Sequence, residues 1–562
     1  MNANITAESL LANLDEEQRQ AAESLVGPTC ILAGAGTGKT RTITHRIAYG
    51  IARGYYAANR VLALTYTNRA AGELRSRLRQ LGASGVQVKT FHAAALSQLE
   101  FFWPQYAGVP APQVIESKAK LVADAANELK LKLDTAAIRD LAAEIEWRKY
   151  SMLSLEGYAA FVDTRPKIGG VKPDQNLAIQ SLYEENKIKS QRLDWEDVLI
   201  LTLGMLRAEP LALSHVQQQY RFFTVDEYQD ISPLQHALLD IWMGEHTDLC
   251  VVGDPNQTIY SFTGATSEFL RNFDSRFEDA KVLQLTQNYR SSQDIVAAAN
   301  RIVADSTATD ALRSFAGAGE PVRVAQFATI ADEAREIAAI IREQIDAGTK
   351  SNEIAVLYRV NGQSEVFESA LAERGIDYQL RGGERFFNRP EILRAMTAIR
   401  AEANSAGRPD KSTFEVITDI CRSLGWTSRE PDHAGAERDR WESLSALIAM
   451  LDEMPEGSGI GQFAAELDER KRSQHEPVKP AVTLSTIHAA KGLEWSQVFI
   501  VGATEGYLPI GYATTPAEIA EEKRLFYVAV TRAKRKLMVT WSKRDAVSNR
   551  DREPSRFLSL LA

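Results

Sequence analysis

The fold class predicted for this chain of 562 residues is α/β: two parallel-sheet units, each interrupted by a mostly helical insertion. Three observations carry it. Short apolar runs alternate with helical patterns over residues 28–105, the signature of βαβ units. Strand signals vanish between about 106 and 207, and the sheet pattern then resumes. A second alternating series begins near 291 and is itself interrupted by polar helical sequence between about 396 and 477. The length is too great for one core and calls for several domains.

Residues 28–33, 61–65 and 86–89 read as strands, with helical patterns over 38–53, 67–80 and 91–100. Leu-, Ala-, Glu- and Lys-rich stretches at 117–133, 136–148 and 176–190 read as helices of the first insertion. Strands at 221–225, 249–252 and 282–285 complete the first sheet. The second sheet is expected from 322–327, 354–357, 482–485, 498–501 and 537–540, and loop signals stand at 408–410, 455–459 and 476–477. The expected domains are therefore 1–105 with 192–290, the insertion 106–191, then 291–395 with 478–562, and the insertion 396–477.

Composition narrows the class. Apolar residues at 44% and charged residues at 25% are ordinary for a globular chain, and no run of about 18 apolar residues predicts a membrane span. The N-terminus lacks the basic and apolar regions of a signal peptide, so a cytoplasmic location is expected. Cys30, Cys250 and Cys421 are widely spaced, which predicts buried thiols with neither disulfides nor a zinc site. A net charge of −9 does not exclude a nucleic-acid partner, because binding depends on where charge lies. Arg532, Lys534, Arg535, Lys536, Lys543, Arg544, Arg550 and Arg552, against Asp545 and Asp551, read equally as a phosphate-facing patch and as a solvated face.

The chemistry begins at Ala33-Gly34-Ala35-Gly36-Thr37-Gly38-Lys39-Thr40, between a strand and a helix. Small residues let successive N–H groups turn toward the β- and γ-phosphates, Lys39 reaches their oxygens, Thr40 offers a hydroxyl to Mg2+, and the helix N-terminus favours anions. This predicts a nucleoside triphosphatase. The strict pattern has Gly where Ala33 stands, which is tolerable where the backbone keeps φ negative. Asp226 and Glu227 follow a strand and stand at the carboxyl edge of the sheet. Asp226 suits Mg2+ and Glu227 suits polarising the attacking water, both required in phosphoryl transfer. A second strand-end motif, residues 251–265, carries Gln257 as a γ-phosphate sensor, and Tyr260 and Phe262 read as stacking faces or as core aromatics.

The order and spacing of these motifs resemble the UvrD/Rep/PcrA family of superfamily 1 DNA helicases nearly end to end. The resemblance implies two RecA-like domains of the P-loop NTPase class. It implies that Gln18, in Leu14-Asp-Glu-Glu-Gln18, reads adenine, and that Arg41 joins residues 33–40 in holding the nucleotide. Tyr66 and Asn68 in residues 64–71, and Thr90 and His92 in residues 89–92, are implied to lie along a single strand together with Tyr260, Phe262 and His488. In Thr286-Gln-Asn-Tyr-Arg-Ser291, Tyr289 would stack on adenine and Arg290 would reach the γ-phosphate. Glu494, ending residues 483–494, would stand near the ribose. Arg532, in residues 521–533, would be the second arginine on the phosphates. ATP is then expected in a cleft between the two units, which open and close once per hydrolysis.

Together these features imply an ATP- and Mg2+-dependent motor on single-stranded DNA, opening 3'-tailed duplexes in DNA repair, with a 3'-to-5' polarity that the resemblance alone implies. Repair proteins are expected as partners, no membrane is expected, and the setting is the nucleoid. Readings from other classes are the helicase subunit of a helicase-nuclease complex and a DNA-binding protein that uses ATP as a switch. Ala33 is ordinary in this family, but three features depart from it. Phe262 and Thr263 replace Trp and Arg, which removes a cation. The insertion called 2B has roughly 90 residues here against about twice that or more, which predicts altered self-inhibition. The hairpin before residues 554–557 carries Arg550, Asp551 and Arg552 where relatives present an aromatic. The end at Ala562 predicts no following nuclease domain.

Overall fold

The computed structural model describes residues 6–115, 117–165, 168–305, 309–381, 387, 389–404, 411–428, 440, 443–445, 447–448, 450–454, 457–473, 480–544 and 551–561. The chain divides into two units, Met1–Thr286 with Ser306–Asp310, and Gln287–Asp305 with Ala311–Ala562.

In the first unit β1 (Thr29–Ala33), β2 (Val61–Thr65) and β3 (Gln87–Thr90) precede the insertion. Two short strands, β4 (Gln113–Val114) and β5 (Arg192–Leu193), flank it, and β6 (Phe222–Val225), β7 (Leu249–Gly253) and β8 (Lys281–Leu285) complete the unit. The six-stranded sheet runs β3-β2-β6-β7-β1-β8, every pair parallel. Side chains alternate between two buried layers, as the period of a strand requires. Ile31, Ala33, Val61, Ala63 and Val252 pack under Ile43, Ile47, Leu74 and Leu78. Cys30, Leu62, Leu64, Phe223, Val225 and Val251 pack against Phe91, Leu99, Leu203, Leu238 and Trp242. With both faces covered, ligands are left the carboxyl edge, where β1, β2, β6 and β7 all end.

The first insertion has its own core of Val122, Ala125, Leu141, Ile145, Ile179 and Tyr183. The expectation that strands are absent from 106 to 207 is corrected by β4 and β5, which pair in parallel and join the two ends of the insertion. A ladder of two residues a side is too short to leave a periodic signal.

The second unit carries β9 (Gln287–Asn288) and β10 (Arg313–Ser314) as a small pair. Its main sheet comprises β11 (Arg323–Thr329), β12 (Ile354–Tyr358), β13 (Tyr378–Arg381), β14 (Val482–Thr486), β15 (Trp495–Ile500) and β16 (Ala533–Arg544). Strand order is β11-β16-β15-β12-β14-β13, again parallel throughout. The unit begins ahead of the expected boundary at 290 because β9 pairs with β10, the Ser291 hydroxyl donates to Ala533 O at 2.6 Å, and Ser292 N donates to Lys534 O at 2.9 Å. Tyr289 and Arg290 thus belong to the second unit.

The second insertion packs Phe387, Ile392, Ile399, Ile417, Leu444 and Phe463 into a separate apolar core. Helix Pro390–Ala403 straddles the expected boundary at 396, since Ile392 and Ala395 already face that core. The loop signals at 408–410, 455–456 and 476–477, together with Asp545 and Arg550, lie outside the described residues. All three cysteines are buried. Among the described residues no single helix is long and apolar enough to cross a membrane.

Candidate nucleotide and nucleic-acid sites

The loop after β1 turns on two glycines in the left-handed region, Gly36 (φ 72°) and Gly38 (φ 81°). A Cβ at Gly38 would fall 2.7 Å from the side-chain nitrogen of Gln18, so no other residue fits there without displacing Gln18. Gln18 is buried and donates from Nε2 to Thr37 O at 2.9 Å, bracing the loop from the preceding helix. Thr37 Oγ1 donates to Gly34 O at 2.9 Å. Ala33 is the last residue of β1 and has no positive φ, which meets the condition set by its side chain. Lys39 and Thr40 open helix Lys39–Ala52, whose N-cap Gly38 supplies no side-chain acceptor and whose first turn holds no acid. The helix N-terminus therefore keeps N–H groups and positive dipole for an anion. Lys39 Nζ donates to Ala33 O at 3.1 Å, and Arg41 reaches Asn13 O at 2.6 Å.

Asp226 and Glu227 come directly after β6. Burial, then the charge of Glu227, pushes the Asp226 carboxyl up to about 7 although Lys39 opposes the shift. A carboxylate so placed is relieved by a bound cation. Among the described residues no group of three His, Cys, Asp or Glu forms a complete metal cage. Glu227 takes a left-handed backbone (φ 54°), rare for a residue with a side chain, and its N–H donates to Asp226 Oδ1 at 3.0 Å.

Gln229, a position to which the sequence alone assigns no role, is fully buried between two motifs. Its Nε2 donates to Glu227 Oε2 at 2.5 Å and its Oε1 accepts Asp254 N at 3.0 Å. Gln257 donates to Asp254 Oδ2 at 2.8 Å.

Beyond Gly253 the same segment reaches an aromatic surface. Tyr260 stacks on Tyr66, with ring centroids 5.7 Å apart and an interplanar angle of 11°, and meets the Phe262 ring at 6.1 Å. Thr263, standing where the family carries a cation, bonds the Tyr66 side chain and donates to Tyr260 O at 2.9 Å. Burial, then Asp230, pushes the Tyr66 phenol up to about 12, so it stays neutral. Asn68 opens helix Asn68–Gln80 on the exposed side, and Thr90 caps helix Phe91–Ala107 by accepting from Ala93 N at 3.1 Å. His92 meets Tyr150 and Trp195 edge-on, and its Nε2 lies 3.1 Å from the Tyr150 hydroxyl. Trp195 escapes a reading of the sequence because about a hundred residues separate it from His92, and nothing local marks it.

Trp195 comes directly after Asp194 at the neck of the first insertion. There Lys149 Nζ lies 2.6 Å from Asp194 Oδ2 and 2.7 Å from Asp197 Oδ1, while Lys187 bonds the same two acids at 2.9 and 2.5 Å.

In the second unit Tyr289 is partly exposed beside Phe315, with centroids 5.3 Å apart. Arg290 Nε pairs with Glu494 Oε2 at 2.5 Å, and Lys534 pairs with Glu494 Oε1 at 2.8 Å. Burial raises the Glu494 carboxyl, but Arg290 and Lys534 outweigh it and hold the group below its ordinary range. Arg532 is buried, donating to Val528 O (2.9 Å), Leu493 O (3.1 Å) and Thr531 Oγ1 (3.1 Å). His488 is pushed down to about 3 by burial and then by Arg359 and Lys491. Beyond β16, Asp551 bridges back to Arg544, and the Arg552 guanidinium lies 4.1 Å over the Tyr507 ring.

Comparison with known proteins matches residues 14–278 to the UvrD/REP helicase N-terminal domain, and residues 283–430 and 418–544 to the UvrD-like helicase C-terminal domain. The chain is 43% identical over 583 residues to ATP-dependent DNA helicase UvrD2 of Mycobacterium tuberculosis (strain ATCC 25618 / H37Rv), covering 99% of this chain and 83% of the relative. It is 27% identical over 633 residues to ATP-dependent DNA helicase PcrA of Bacillus subtilis (strain 168), covering 96% and 84%. DNA helicase II of Haemophilus influenzae (strain ATCC 51907 / DSM 11121 / KW20 / Rd) is 29% identical over 654 residues, covering 98% and 87%.

Proposed function

The chain belongs to the UvrD/REP family and is an ATP-dependent DNA helicase, and from that premise we propose that it is a Mg2+-dependent, DNA-stimulated motor that moves 3'-to-5' on single-stranded DNA. It opens 3'-tailed duplexes in DNA repair, at the nucleoid. The observation that carries this reading is the continuity of residues 253–262 in the first unit. One end of that segment is tied through Gln229 to Glu227, and the other end is the half-buried Tyr260, stacked on Tyr66, with the exposed Phe262 beside it. A change in bond pattern at the hydrolytic carboxylate and a change in ring position on the strand-facing surface therefore involve one short piece of backbone.

Within this reading Lys39 and the loop N–H groups hold the phosphates, Thr40 and Asp226 hold Mg2+, Glu227 polarises the attacking water, and Gln257 senses the γ-phosphate. Arg290 and Arg532 are the two arginines that the family resemblance implies for the phosphates. Strand displacement on 3'-tailed and 5'-tailed duplexes with ATP tests the proposal. Displacement of the 3'-tailed substrate alone is expected, and displacement confined to the 5'-tailed one overturns the polarity. A count of ATP turned over per DNA-bound lifetime separates a motor, with many turnovers, from a switch, with about one.

A further inference from the structure

Resting on the reading of Glu227 as the group that polarises the attacking water, we propose that Gln229 is its positioning residue, holding the carboxylate and tying it to the turn after β7. Gln229 has no exposed surface, and both ends of its amide are used: Nε2 donates to Glu227 Oε2 and Oε1 accepts the N–H of Asp254. The orientation of the amide is fixed by its partners, because the Asp254 N–H must meet an oxygen and the Glu227 carboxylate must meet a donor. No carboxylate side chain, which only accepts when ionised, performs both tasks. Glu227 itself stands on a left-handed backbone (φ 54°), and the Gln229 bond is one that fixes its carboxylate.

A second, independent observation lies in β7. A Cβ at Gly253 would fall 2.5 Å from Gln229 Oε1, 2.7 Å from Leu270 Cδ2 and 3.2 Å from the Gln229 backbone nitrogen. Gly253 has no positive φ, so glycine there answers to crowding and not to backbone conformation. The strand end thus leaves room for the Gln229 amide and for nothing more. On the far side Asp254 Oδ2 accepts from Gln257 Nε2 at 2.8 Å and Oδ1 accepts Asn256 N at 2.9 Å. Hydrogen bonds therefore run from Glu227 through the Gln229 side chain to the Asp254 backbone N–H, and from the Asp254 carboxylate to Gln257, so that one residue, Asp254, joins the water-polarising group to the γ-phosphate sensor. Their effect is geometric: a general base works only within hydrogen-bond reach of the water it polarises.

Steady-state ATP hydrolysis by the full chain with saturating single-stranded DNA tests this in Gln229→Met, which keeps the shape and removes both bonds, in Gln229→Glu, and in Gly253→Ala, which displaces the amide without altering it. Expected is a fall in kcat of about 100-fold in the two Gln229 variants and a smaller fall in Gly253→Ala, with KM for ATP unchanged. Wild-type kcat in Gln229→Met overturns the proposal, as does a loss in which KM rises and melting falls together, the mark of a purely structural glutamine. Should Gln229→Glu not fold, Gln229→Met decides alone. Glu227→Gln is measured beside them. Retained turnover there overturns the reading of Glu227 itself, whereas abolished turnover there with wild-type kcat in Gln229→Met overturns only the role of Gln229.

Discussion

The strand edge that carries Lys39, Asp226, Glu227 and Gln257 and the surface built from Tyr66, His92, Trp195, Tyr260 and Phe262 belong to one unit and share a connecting segment, yet they obey opposite rules. At the strand edge, polar groups are buried and bonded to one another: Gln229 and Asp254 are 0% exposed and Gln257 is 4% exposed. At the surface, large rings are left open, with Phe262 at 53% and Trp195 at 48%, and ring contacts hold them. Phosphoryl transfer gains from donors and acceptors fixed in advance where water is excluded. Sequence-tolerant binding of a single strand gains from exposed π faces, since every base has one. On the proposed reading the same sheet would serve both, its strand ends supplying the first and the loops leaving them the second.

The strongest way to break this comparison is to remove a fixed group and ask whether the open surface notices. Glu227→Gln and Lys39→Ala are expected to lower DNA-stimulated turnover by about 10²- to 10⁴-fold, with single-strand affinity in the absence of nucleotide unchanged. Parallel loss of DNA affinity, read by fluorescence anisotropy, would show that the two regions are not separable.

Next in size is the neck that mounts Trp195. Lys149→Met leaves the buried Asp194 and the half-buried Asp197 with half their cationic partners, which is expected to cost about 3–5 kcal/mol in urea unfolding. Burial alone would raise the Asp194 carboxyl, but Lys149 and Lys187 outweigh it and hold it far below the ordinary range. A depressed carboxyl contributes stability that is present above its unfolded pKa of about 4 and lost as pH falls below it. The wild type is therefore expected to lose neck stability in acid. Unfolding of Lys149→Met with wild-type acid sensitivity would sink the assignment of that loss to this network.

Phe262→Ala sharpens the comparison from the other side. Loss of one stacking face is expected to weaken single-strand binding by about 1–3 kcal/mol, equally for oligo-dT and oligo-dC. A loss confined to one base would mean that the ring reads sequence and is not a general platform.

Much of this is legible in the chain. The strands of the first sheet appear as apolar runs because both faces are covered, and their ends coincide with the chemistry. Edge strand β13, Tyr378–Arg381, gives no such signal: its half-exposed Tyr-Gln-Leu-Arg carries neither an apolar run nor a clean alternation. Gln229 and Trp195 escape for a different reason. Their roles lie in contacts with Asp254 and His92, which pairing across the sheet and closure of the insertion create, and local sequence does not encode those distances. The family resemblance only implies a ribose-side position for Glu494, whereas its pairing with Arg290 and Lys534 depends on three separate segments of the second unit.

The smallest effect, and the most discriminating for the surface, is expected at His92. Burial, with the charge of Lys118, pushes its imidazole down to about 4, so the folded protein carries a neutral ring at pH 6 and above. A cation on a phosphate would steepen the dependence of log affinity on log salt by about one unit, whereas a neutral ring contributes nothing to that slope. His92→Gln is therefore expected to leave the salt slope unchanged at pH 6 and at pH 8. The same shift fixes the sign for stability. Between about 4 and 6.5 the unfolded chain binds a proton at this position that the folded chain does not, so stability rises with pH across that window, and His92→Gln removes the rise. A slope that drops by one in His92→Gln at pH 6 would identify the ring as a charged phosphate contact, and the aromatic surface would then be partly an electrostatic one.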